Sequence, residues 1–111
     1  AAAPATAPPS APPRAPAQAA APPAIGLARE VELIDRAMAA LRGGDPAEAL
    51  RMVRRHTAET AGHGQLAEDA AAIEIEALCQ LHDPSTNRQL EVFDARFPRS
   101  AQRSQLTNQC P

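Results

Sequence analysis

Apolar residues recur through residues 27–81 at the spacing of α-helices. Leu27, Val31, Ile34, Met38 and Leu41 fall at i, i+4, i+7, i+11 and i+14, one continuous stripe, with Leu33, Ala37 and Ala40 as a second stripe beside it. Two stripes on one predicted helix, Leu27–Arg42, call for two neighbours, or for one neighbour and an exposed binding face. A second helix is predicted over Pro46–Thr60, with Ala49, Leu50 and Val53 inward and Arg51, Arg54 and Arg55 outward. The third, Leu66–Leu81, has Leu66, Ala70, Ile73, Ala77 and Leu81 on one face and Ala71, Ile75 and Leu78 on another. It keeps only a strip of Gln65, Asp69, Glu76 and Gln80 polar, as a central helix packed on both sides would. A fourth helix carries Leu90, Phe93 and Phe97 and is closed by Pro98. A last one, capped by Ser100 and running to about Asn108, has little apolar content beyond Ala101 and Leu106.

The breaks between these blocks are tight. Gly43 and Gly44 suit the conformations that end a helix, and Asp45 followed by Pro46 supplies an N-cap and a first helical residue for the next. So short a connection forces the first two helices antiparallel, and a Gly44→Val change should destabilise it if that glycine has positive φ. Two glycines in "AGHGQ", residues 61–65, end the second helix, and "HDPST", residues 82–86, repeats the corner 38 residues after "GDP". The fold class expected is all-α: two helix-turn-helix units and a C-terminal helix over 27–111.

Residues 1–26 are different. They hold eight of the chain's twelve prolines, one charge (Arg14) and one branched apolar residue (Ile25), too little to offset the entropy of ordering. The stretch reads as a disordered Pro/Ala-rich spacer whose polyproline II contour reaches roughly 80 Å. Residues 27–111 carry ten arginines against thirteen acidic residues, net −3, which argues against a nucleic-acid partner. No segment reads as a signal peptide or a membrane span. The start at Ala1 without Met suggests a piece of a longer protein, with membrane contact only through a segment upstream.

Repetition of an apolar helix, a Gly-Asp or His-Asp corner and a second helix resembles the tetratricopeptide repeat, a helix-turn-helix of about 34 residues. Leu33, Ala37 and Ala40 stand at its inner positions on the first helix, Gly44-Asp45 at its turn, and Ala49 and Val53 on its second helix. Arg36 and His56 depart from the family's Leu and Ala, and the second unit is longer, with Thr86 or Asn87 at a small position. The chain from 27 to 111, ending "FDARFPRSAQRSQLTNQC", also resembles small C-terminal tetratricopeptide-like domains that follow a Pro/Ala-rich spacer in envelope proteins of high-GC Gram-negative bacteria. That resemblance implies a periplasmic or cell-envelope location and a concave face lined by the first helix of each pair. The positions pointing into that face are Val31, Ile34, Met38, Leu41 and Arg42, followed on the third helix by Ala72, Glu76, Cys79 and Gln80.

Two cysteines carry the most informative polar chemistry. Cys79 lies near the end of the third helix and Cys110 just after the last, so an antiparallel return of the last helix beside the third would bring them together. Such a disulfide closes a loop of about 31 residues, worth about 3.7 kcal/mol in the chain-entropy model; two unrelated thiols are the alternative. Cys79, His82, Asp83 and Cys110 do not make a zinc site, for want of a second ligand pair at suitable spacing. His56 and His63 read as surface residues. Glu74 reads as a partly buried carboxylate with a raised pKa and an arginine of the second helix for partner. No nucleophile-base arrangement or phosphate-cradling loop is present, so neither enzyme nor cofactor is expected. The expected function is a protein-protein interaction module with a groove over the first helix. The alternative is a structural or self-associating end domain, whose stripe is covered by its own chain or by a second copy in a homodimer.

Overall fold

The computed structural model describes residues 25–109. The expected spacer over 1–26 therefore lies outside the described residues except for Ile25 and Gly26, and Cys110 lies outside them too. The described chain is all-helical: α1 (Leu27–Arg42), α2 (Pro46–Thr60), α3 (Ala67–Gln80), α4 (Thr86–Arg96) and α5 (Arg103–Gln109).

Both expected corners form, and they are built alike. At the first, Asp45 N–H donates to the Ala40 carbonyl at 2.8 Å and Gly44 N–H to Leu41 at 3.1 Å; at the second, Asp83 N–H donates to Leu78 at 2.9 Å and His82 N–H to Cys79 at 3.0 Å. Each bond thus recurs 38 residues later. The residue before each aspartate is left-handed, Gly44 with φ 78° and His82 with φ 54°. After the turn the two part company. Asp45 caps α2 by accepting from Glu48 N–H at 3.1 Å, with Pro46 as first helical residue. Asp83 instead accepts from the N–H and hydroxyl of Ser85, bonds that hold its carboxyl below the usual range, and α4 starts two residues beyond Pro84.

The core has two halves that share α3. Leu33, Ile34 and Ala37 of α1 meet Ala49, Leu50, Met52 and Val53 of α2 and Ala70, Ile73, Ala77 and Leu78 of α3. On the other side Ala72 and Ile75 of α3 pack with Phe93 of α4 and Leu106 of α5. Phe97 closes that half, its ring 5.2 Å from Phe93 and 4.9 Å beneath the Arg96 guanidinium. α3 is therefore the central helix that its two apolar faces require.

One group in this core is charged. Glu30 and His56 are 3% and 1% exposed, and His56 is thus a core residue rather than the surface one expected. On α1, at about 100° per residue, Glu30 falls between Ala37 and Leu41 on the inner face; on α2, His56 follows Ala49 and Val53 by two turns and by one. Glu30 Oε1 lies 2.8 Å from His56 Nε2 and accepts Leu66 N–H at 3.1 Å, while Oε2 accepts Gln65 N–H at 3.2 Å. An ionised carboxylate only accepts, so the shared proton is carried by Nε2. His56 Nδ1 is buried with no hydrogen-bond partner in the structure. Burial pushes the Glu30 carboxyl up, but the Leu66 N–H, His56 and the Gln65 N–H together outweigh it and hold the carboxyl below its ordinary value. Beside this clamp, Arg29 of α1 grips Glu59 of α2 with two bonds of 3.0 Å.

Gly64 explains why the α2–α3 loop has no side chain here. A Cβ on it would lie 2.3 Å from Glu30 Oε1 and 2.8 Å from Thr60 Cγ2. The backbone can close over the carboxylate only as glycine.

Gly44→Val should lower stability by about 1–2 kcal/mol through its left-handed φ, while His82→Gly, which relieves the same strain at the second corner, should raise it by about 0.5–1 kcal/mol. Denaturant midpoints check both. For the clamp, Glu30→Gln should cost about 2–3 kcal/mol at neutral pH. A carboxyl held below its ordinary value of 4.5 contributes stability that is complete above that value and lost as pH falls through the folded one. Burial raises Glu74 and Glu76 instead, an opposite trend common to both proteins. The wild-type minus Glu30→Gln difference, measured by denaturation from pH 7 to pH 3, should therefore shrink below about pH 4.5.

Candidate functional site

Three helices, α1, α3 and α5, run side by side in one direction and enclose a groove. Its register begins at the clamp, where the Glu30 carboxylate holds the start of α3 level with the first turn of α1. Two turns further on, Ile73 and Glu76 of α3 come opposite Met38, Leu41 and Arg42 of α1. The turn before α5 and α5 itself supply the far wall, through Gln102 and through Gln105 and Leu106. The enclosed volume is about 280 Å³.

The direction of α5 differs from expectation. Ser100 Oγ donates to Glu68 Oε2 at 2.6 Å, and Gln102 Nε2 donates to Asp69 Oδ1 at 3.0 Å. The start of α5 is thereby pinned beside the start of α3, while Leu106, one turn later, packs on Ala72 and Ile75. α5 is parallel to α3, because α4 has already made the antiparallel return. Ser100 does not cap α5, which begins at Arg103; its hydroxyl accepts Gln102 N–H at 3.1 Å within the connecting turn. A polar helix with one buried leucine is held by that latch.

Of the five positions assigned to partner binding, Met38, Leu41 and Arg42 line the groove. Val31 does not line it, but it is 41% exposed, and Met38 is 43% exposed. Ile34 is different: at 5% exposure it belongs to the core. The α1 residues facing α2 and α3 span roughly 120° of the helix from Ala40 to Ile34, and Leu27, Met38 and Val31 fill about the next 40°. α3 reaches the inner margin of the apolar stripe and leaves the outer margin bare. On α3, Ala72 and Glu76 line the groove as expected, together with Asp69 and Ile73. Cys79 is buried and is not among the lining residues.

The groove is apolar along its base and acidic at its edge. Burial pushes the Glu76 carboxyl up, and Asp69 accepts from Gln102. Arg42 is the one cation among the groove's lining residues. The opposite face of the molecule bears Arg51, Arg54 and Arg55 of α2. Arg51 pairs with Glu48, Arg55 lies 3.2 Å from Glu59, and Arg54 lies 3.9 Å from Glu74. Glu74 is the half-buried carboxylate foreseen, its pKa raised by burial and opposed by Arg54.

Among the described residues, no three or more His, Cys, Asp or Glu side chains are grouped to hold a metal ion, and no helix is long and apolar enough to cross a membrane. Compared with known proteins, the chain matches no family model, no curated protein and no solved structure. The functional reading rests on the groove itself.

Sequence reasoning missed Glu30, His56 as a core residue, and the Ser100–Gln102 latch. For the first two a signal was present: each is polar at a position that its neighbours' periodicity turns inward.

Proposed function

We propose that residues 27–111 form a non-enzymatic protein-protein interaction module carried on a Pro/Ala-rich spacer in the cell envelope. The observation that supports it is the division of α1: Leu33, Ile34 and Ala37 are spent on packing, while Val31 and Met38 stay exposed, Met38 at the lip of a groove that, among the described residues, α5 borders through Gln105 and Leu106. The 38-residue recurrence of the corner bonds supports a tetratricopeptide-like arrangement, in which parallel first helices line a concave face. In this reading Val31, Met38, Leu41 and Arg42 meet the partner, and Ile34 supports them from below.

The module also includes a Cys79–Cys110 disulfide, which favours an oxidising compartment. Its support is the parallel course of α5: Gln102 lies beside Asp69 and Leu106 beside Ala72, so α5 runs toward the last turn of α3, where Cys79 is buried. Protein made in the periplasm and alkylated without reductant should keep both cysteines unmodified and lose two hydrogens by mass; two alkylated thiols would remove the bond and the envelope location together.

Met38→Asp tests the groove. It should leave the thermal midpoint close to wild type, since Met38 is exposed, and abolish capture of the partner from an envelope extract. Ile34→Asp should cost about 3 kcal/mol or more whatever the function, because it buries a charge in the core. If Met38→Asp melts early, the stripe is structural cover and the end-domain alternative holds.

A further inference from the structure

We infer that the groove selects a basic amphipathic helix: a partner segment with large apolar side chains on one face and Lys or Arg on both sides of that face. The inference rests on the groove being the binding site and adds the chemistry of its occupant. Leu27, Val31 and Met38 form an exposed apolar rail along α1. It is about three turns long, the length over which a helix can lay i, i+3, i+4 and i+7 anchors. At its end the rail drops into the groove, whose volume of about 280 Å³ suits one or two large apolar side chains.

Charge decides what flanks those anchors. On the α3 side the Met38 end of the rail is bordered by Asp69 and Glu76. On the outer side Asp35 is exposed on α1, about 40° beyond Val31 around the helix. Arg42, two turns after Asp35 and about 20° from it around the helix, is the cation at the C-terminal end. A helix in this position meets Asp69 and Glu76 on one flank and Asp35 on the other, three carboxylates against Arg42, so cations there gain and carboxylates lose.

The chain itself supplies a poor occupant. Residues 1–24 contain one cation, Arg14, and no Leu, Ile, Val, Met or Phe, hence nothing to fill the groove. A second copy offers cations on α2, where Arg51 and Arg55 already pair with Glu48 and Glu59 of the same helix, and on α4, where Arg88 and Arg96 flank one exposed large apolar residue, Val92, too few anchors for a three-turn rail. The occupant is another protein's segment.

The test is to pan a displayed library of random peptides on the full chain, counter-selecting on Met38→Asp, and then to titrate the synthetic consensus peptide. The expected consensus has large apolar residues at helical spacing with Lys or Arg beside them. Its affinity should fall about ten-fold or more from low to high salt. It should also fall roughly three- to ten-fold in Asp35→Asn and in Glu76→Gln, each confirmed folded by circular dichroism. Met38-dependent peptides that are neutral or acidic, or whose binding ignores salt, overturn the inference and leave the groove standing. No Met38-dependent peptide at all overturns the groove as well. Sedimentation of the free protein should find a monomer; a dimer broken by Met38→Asp would make a second copy the occupant and overturn the proposal.

Discussion

Three helices meet at the Glu30 carboxylate, and the rest of the fold is arranged around keeping it satisfied. An ionised side chain at 3% exposure is tolerable only with its lone pairs occupied. His56 from α2 and two backbone N–H groups at the start of α3 occupy them. The positive end of the α3 dipole adds to the same effect. The α2–α3 loop is consequently shaped to the carboxylate, and Gly64 is there because a methyl group would displace Glu30. A purely apolar contact of the same size could slide by a turn; this one specifies which residue of α1 faces which residue of α3.

That register is what makes the groove. With Leu66 fixed against Glu30, Ile73 and Glu76 come level with Met38 and Leu41, and α5 completes the other wall through bonds from Ser100 and Gln102 to Glu68 and Asp69. Apolar packing provides the bulk of the stabilisation, in the two clusters on either side of α3. The polar contacts add little net energy by comparison, but they set position. The shape of the groove, on this account, depends on the minority interactions.

How much of this the sequence revealed varies with the kind of interaction. Helix positions, the tight Gly43–Pro46 corner, and a central α3 were legible because each is a local pattern or a local backbone requirement. Glu74 with Arg54 was legible for the same reason: a polar residue beside Leu78 on one helix faces a row of arginines on its neighbour. Ile34 was not, because periodicity places it in the same stripe as Val31 and Met38, and only the reach of α3 across α1 decides where along that stripe burial stops. Glu30 escaped notice because its partner is 26 residues away and its other two are main-chain groups, which no residue type announces. His56 looked like a lapse from the Ala of a tetratricopeptide helix; the structure gives it a partner. The direction of α5 depended on whether α4 had already turned the chain, which the short polar last helix does not record.

A double-mutant cycle on Glu30→Ala and His56→Ala, read by denaturant unfolding at neutral pH, tests the central role of the clamp most directly. If the carboxylate and imidazole hold α1, α2 and α3 in register as one unit, each single change should destabilise strongly and the pair should cost about 2 kcal/mol less than the sum of the two. Costs that add to within about 0.5 kcal/mol would mean that the two residues act independently, and would contradict the account.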